Sequence, residues 1–179
     1  LAYNFEYLYI YLNDIFKKLE NIKINIGIKL PPYFEIEHFT IVGTILSKFP
    51  INYITCVNSI GNGLIIDYLK ESATIKPKKG CGGIGGSYIK PTALSNVWNF
   101  YNVFKEINSN IKIVGCGGIV NGCDAFEHIL CGAKWIQIGT QFYKDGINCF
   151  NDINYQLSNL MKYKNYNNYD DFRGKLKLL

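Results

Sequence analysis

The sequence has only two histidines and one methionine, and none of its six cysteines (Cys56, Cys81, Cys116, Cys123, Cys131 and Cys149) forms a C-x-x-C pair. Structural zinc needs four clustered thiolate or imidazole ligands, so this usage supports neither a zinc site nor a dithiol redox motif. Several cysteines sit inside apolar runs such as Ile54-Thr55-Cys56-Val57, where cysteine acts as a small buried hydrophobe, and this fits a reducing, cytoplasmic setting better than a disulfide framework. There is no signal peptide and no run of about 20 apolar residues, so nothing predicts a membrane partner. A clustered basic stripe is missing too. The net charge of +5 and pI near 8.8 suit an anionic ligand but are too mild to argue for nucleic acid. Lys76-Pro77-Lys78-Lys79 reads as a solvated loop face. The first residue is leucine, not methionine, and the chain begins as if midway from a loop into a helix, which predicts an N-terminal portion ahead of it.

What is present is an ordinary globular composition, 48% hydrophobic and 18% charged, arranged as alternating helix-length and strand-length segments. Helical spacing covers Phe5 to Leu19. A strand at Ile24–Lys29 stops at Pro31-Pro32, because proline cannot continue a sheet ladder. Ile36 to Phe49 predicts a helix and Tyr53–Asn58 a strand. An excursion through Gly61-Asn62-Gly63 to Ile75 predicts a small hairpin on a loop, followed by the glycine-rich stretch Gly80 to Gly86. Then come a helix (Thr92–Ile107), a strand (Ile111–Gly115), a helix (Gly122–Leu130), a strand (Trp135–Gly139) and helical spacing to Met161. A helix followed by four strand–helix units predicts an α/β fold, half of a (β/α)₈ TIM barrel, with residues 1–179 as the C-terminal part of one barrel domain. A flavodoxin-like open sheet is the alternative.

Glycine-rich turns follow two consecutive strands: Gly115-Cys116-Gly117-Gly118 and Gly139-Thr140. Glycine lets backbone N–H groups approach an anion closely, and the loops after the last two barrel strands commonly hold phosphate. One such turn would be read as a tight turn and nothing more; two on adjacent strands favour a phosphate site. Lys29 lies at the C-terminal end of its strand, where it is either a surface lysine or a cation aimed at an anionic substrate, a Schiff base, or charge developing on a cofactor ring. Asn58-Ser59 ends the next strand and offers donors and acceptors to a planar ligand, or simply forms a turn. His38 and His128, each beside a glutamate within a helix, are read as surface or packing residues.

Together these segments resemble the class 1A, fumarate-type dihydroorotate dehydrogenases. The stretches that carry the resemblance include Gly27-Ile28-Lys29-Leu30-Pro31-Pro32, Cys56-Val57-Asn58-Ser59-Ile60-Gly61-Asn62-Gly63, Lys79-Gly80-Cys81-Gly82-Gly83-Ile84-Gly85-Gly86, Gln137-Ile138-Gly139-Thr140 and Phe172-Arg173-Gly174-Lys175. The resemblance implies FMN as cofactor, dihydroorotate oxidation to orotate in pyrimidine biosynthesis, fumarate as acceptor, and a homodimer. It implies that Lys29 stabilises the reduced flavin and that Val57 and Gly86 line the ring and ribityl region. Cys116, Gly117, Gly118, Gly139 and Thr140 would hold the ribityl phosphate, and Asn58 and Ser59 the pyrimidine. No metal is implied. The family's base cysteine matches none of the six here and is expected ahead of Leu1, so this chain is expected to hold the cofactor and to be inactive alone. A related flavin barrel with another dihydropyrimidine or acceptor, and a non-catalytic truncated product, are the alternatives.

Overall fold

The computed structural model describes residues 1–20 and 22–179. Asn4 caps the first helix, α1 (Phe5–Lys18), by accepting the Tyr7 N–H at 3.0 Å, and Leu8 and Leu12 on its inner face are buried. Four parallel strands follow in the chain: β1 (Gly27–Leu30), β2 (Tyr53–Cys56), β7 (Lys112–Cys116) and β8 (Trp135–Gln137). They pair in that order, with Leu30 opposite Cys56, Cys56 opposite Gly115, and Cys116 opposite Gln137. Helix α2 (Ile36–Leu46) connects β1 to β2, α3 (Lys90–Glu106) precedes β7, and α4 (Gly122–Leu130) connects β7 to β8. After β8 come α5 (Thr140–Asp145) and α6 (Asn148–Tyr163).

Side chains alternate across a strand, and burial shows which face the helices cover. Leu30, Ile54, Cys56 and Ile113 are buried against the helical layer with Val42, Val97 and Phe100, whereas Lys29, Lys112, Trp135 and Gln137 on the other face are exposed. A doubly wound sheet carries helices on both faces and reverses its strand order at a switch point. Here the order is sequential and the helices lie on one side, as in the βα units of a (β/α)₈ barrel.

Several boundaries differ from expectation for local reasons. β1 starts three residues later than predicted, because Ile26 N–H donates to the Asn52 side chain (2.8 Å) and not to a neighbouring strand. α2 stops at Leu46, where i→i+3 bonds (Lys48 to Ile45, Phe49 to Leu46) tighten the chain ahead of Pro50. The last helical run is two helices, broken at Gly146 with φ 64°. Between β2 and α3 the predicted hairpin is larger than expected. β3 (Ile60–Leu64) pairs antiparallel with β6 (Cys81–Ile84), and β4 (Ile66–Asp67) with β5 (Ser72–Ala73) forms a second hairpin within it. Much of the glycine-rich stretch is therefore strand, while Lys76 to Lys79 is exposed as predicted.

Two packing features hold the site-bearing loops. Asn96 on α3, 1% exposed, accepts the Tyr33 N–H (2.8 Å) and donates to the Tyr33 carbonyl (2.9 Å), which pins the segment that follows β1. Asn96→Ala strands both backbone groups in the core and is expected to cost about 2–4 kcal/mol, read as a lowered denaturant midpoint. At the other end, Phe172 stacks on Phe126 at 4.4 Å and on Tyr166 at 5.1 Å, and Gly174 N–H bonds the Ile129 carbonyl, which seals the tail over α4 and α6.

Candidate functional site

Parallel strands bring their C-terminal ends to one edge of the sheet, and a cavity of about 140 Å³ opens there. All of the candidate residues named above line it except Asn58. Lys29 comes from β1, Val57 and Ser59 from the end of β2, and Gly86 from the segment leading into α3. Cys116, Gly117 and Gly118 come from the end of β7, and Gly139 and Thr140 from the end of β8. Gln137 and Ile119 also line the cavity, and neither is a site residue expected from the sequence. Asn58 lies beside it. Its N–H bonds the Leu30 carbonyl, and its side-chain oxygen accepts the Ser59 N–H at 2.9 Å, leaving the side-chain amide as a donor.

The turn after β7 is shaped by its glycines. Gly117 and Gly118 have φ of 134° and 73°, and a Cβ on Gly118 would lie 2.5 Å from Lys90 Cβ. The backbone N–H groups of Gly117, Gly118, Gly139 and Thr140 find no acceptor among the described residues. Unpaired backbone donors on glycine turns that line one cavity suit an anion. They leave room for an anion that no side chain fills, and this is the arrangement a phosphate-bearing cofactor requires.

Lys29 supplies the cavity's cation. Its Nζ lies 4.0 Å from Cys116 Sγ, and no carboxylate among the described residues pairs with it. Burial pushes the Cys116 thiol up, an effect that Lys29 partly offsets, so the group stays protonated at neutral pH. Burial raises Cys131 to about 11 and drives Cys56 still higher. None of these thiols is poised as a base.

His128, read from sequence as a surface or packing residue, is fully buried behind the turn, with Nε2 3.0 Å from the Gly117 carbonyl oxygen. Burial lowers its pKa to about 4, outweighing the opposing pull of the Gly117 bond and of Asp124 and Glu127, while Lys90 lowers it further. The folded protein therefore holds it neutral, whereas the unfolded chain protonates near pH 6.5. Stability is then expected to fall as pH drops from about 6.5 toward 4 and to lose nothing more from this group below that, with about 2 kcal/mol lost between pH 7 and pH 5. Denaturant midpoints at the two pH values test this, and His128→Leu should lack that part of the fall.

Among the described residues, no group of three or more His, Cys, Asp or Glu side chains could hold a metal, and no helix is long and apolar enough to cross a membrane. The model of the dihydroorotate dehydrogenase family matches residues 3–161. The chain is 51% identical over 177 residues to a dihydroorotate dehydrogenase (fumarate) of Kluyveromyces lactis, covering 99% of this chain and 54% of that protein. It is 51% identical over 179 residues to a putative dihydroorotate dehydrogenase A (fumarate) of Streptococcus agalactiae, covering 100% of this chain and 55% of that protein. It is 49% identical over 176 residues to the fumarate enzyme of Saccharomyces cerevisiae, covering 98% and 54%. The chain thus spans about half the length of the curated relatives it matches. A crystal structure of DHODH from Eimeria tenella in complex with ferulenol shares the fold, with a TM-score of 0.68 at 18% identity over 84% of this chain and 38% of that one. The sequential parallel sheet, the glycine turns at its C-terminal edge and these matches agree: the chain belongs to the dihydroorotate dehydrogenase family.

Proposed function

We propose that this chain is the cofactor-holding half of a (β/α)₈ barrel that oxidises dihydroorotate to orotate with FMN, fumarate being the electron acceptor. The observation that carries the reading is the cavity lined both by Lys29 and by Gly117, Gly118, Gly139 and Thr140, whose N–H groups are unpaired. FMN, when bound, supplies the hydride acceptor that side chains lack. Gly117, Gly118, Gly139 and Thr140 would hold its phosphate, with the Cys116 backbone beside them, and Val57 and Gly86 would line the ribityl and ring region. The Lys29 ammonium would offset negative charge on the bound cofactor ring. Ser59 in the cavity and the free Asn58 amide beside it orient the pyrimidine by hydrogen bonds. A cytoplasmic homodimer acting in pyrimidine synthesis completes the proposal.

The test is turnover of dihydroorotate by the flavin-loaded full-length protein, with fumarate, an NAD cofactor or a quinone supplied in turn. Turnover with fumarate is expected. Activity with NAD alone would sink the acceptor assignment, and a protein with no flavin absorption band would sink the cofactor assignment.

A further inference from the structure

Helix α4 carries Asp124, Glu127 and His128 at i, i+3 and i+4, a spacing that places them on one helix face. That face looks at the turn Gly117 to Asn121. At the start of the turn, His128 meets the Gly117 carbonyl through Nε2 at 3.0 Å. Because a carbonyl only accepts, the ring donates from Nε2 and keeps Nδ1 as a bare acceptor, which has no partner. At the end of the turn, Asp124 Oδ2 accepts the N–H groups of Val120 (2.9 Å) and Asn121 (3.2 Å). Asp124 Oδ1 accepts from Lys90 Nζ at 2.7 Å, and Lys90 also pairs with Glu127 at 2.8 Å. Lys90 opens α3, and its Cβ and backbone lie directly over Gly118.

The Gly117 carbonyl and the Gly118 N–H belong to one planar trans peptide, so they point in opposite directions. Fixing the oxygen on a fully buried imidazole therefore aims the Gly118 N–H away from α4, toward the cavity that Gly118 lines. Resting on the FMN reading above, we infer that His128, Asp124 and Lys90 are positioning residues that hold the Gly117–Asn121 turn in its phosphate-binding orientation. Their own charge is spent internally: Lys90 is bound to two carboxylates, which leaves the anion to the backbone.

A merely structural role would weaken every flavin alike, whereas a positioning role weakens only a ligand with a phosphate. FMN and riboflavin, which lacks the phosphate, are titrated into the flavin-free full chain and followed by quenching of flavin fluorescence. With His128→Leu, FMN affinity is expected to fall about 10- to 100-fold, the size seen when supporting partners of a bound group are removed, with riboflavin changed less than about twofold. His128→Gln, whose amide reaches a similar point, should recover most of the loss. Should His128→Leu fail to fold, Lys90→Met at the partly exposed end of the cluster carries the test, with Lys90→Arg as its rescue. Equal weakening of FMN and riboflavin, or no weakening, overturns the inference while leaving the flavin reading intact. A wild-type chain that binds neither flavin overturns both.

Discussion

Replacing Lys29 by alanine in the full-length protein is expected to slow reduction of the bound flavin by dihydroorotate about 100-fold or more, equivalent to about 3–4 kcal/mol of lost charge stabilisation. The argument begins with register. Lys29 is the third residue of β1 and pairs with Thr55, so its side chain points away from the helical layer and into the open face of the sheet. It reaches the cavity uncompensated: Cys116 Sγ, 4.0 Å away, is protonated, and no carboxylate among the described residues neutralises the ammonium. An unpaired cation there is free to act on negative charge that appears in the cavity. Rapid-mixing absorbance of the flavin-loaded protein reads the reduction step directly, with FMN affinity measured in parallel. An unchanged reduction rate would remove the role assigned to Lys29.

Gly118→Val is expected to yield a colourless protein. Gly118 has φ 73°, and a Cβ there would lie 2.5 Å from Lys90 Cβ and 3.0 Å from Lys90 Cα. A β-branched residue is a genuine outlier at positive φ, and the obstacle is partly backbone, so the turn must rearrange. Losing two charge-assisted N–H donors to the phosphate would cost about 3–6 kcal/mol, which lowers FMN affinity on the order of 100- to 10,000-fold. Gly139 makes an instructive contrast. A Cβ there meets no atom of the protein within 4 Å, so any loss of FMN caused by Gly139→Ala reports the ligand's own space and not strain in the fold. Stoichiometric flavin retained by Gly118→Val would refute the phosphate site.

The strand–helix alternation was legible because its signals are local. Apolar residues at helical spacing in Thr92–Ile107, the short strand-like run at Ile111–Gly115 and the proline pair after Leu30 each act within a few residues. The α4 helix has the limits expected from its spacing, Gly122–Leu130, and its start is fixed locally by a capping box of Asn121 and Asp124. Gly80 to Gly86 was less legible. Glycine predicts freedom, and only pairing with β3, twenty residues earlier, makes Cys81–Ile84 a strand. His128 was underread for the same reason. Nothing near it in sequence reveals that the Gly117 carbonyl lies 3.0 Å away, although Asp124, Glu127 and His128 at helical spacing offered a signal of one shared polar face.

The amino-acid sequence by itself determined the four parallel strands, the helices between them and their order, the two glycine turns and a lysine at a strand end. These follow from backbone sterics and hydrophobic period, which need no distant partner. Only the tertiary structure decided that the helices lie on one face of a sequentially ordered sheet, and that Lys29 meets Cys116 across 87 residues of chain. It also decided that α4 and Lys90 close around the turn after β7. Such contacts form because parallel pairing stacks all the strand ends at one edge, where loops far apart in sequence become neighbours.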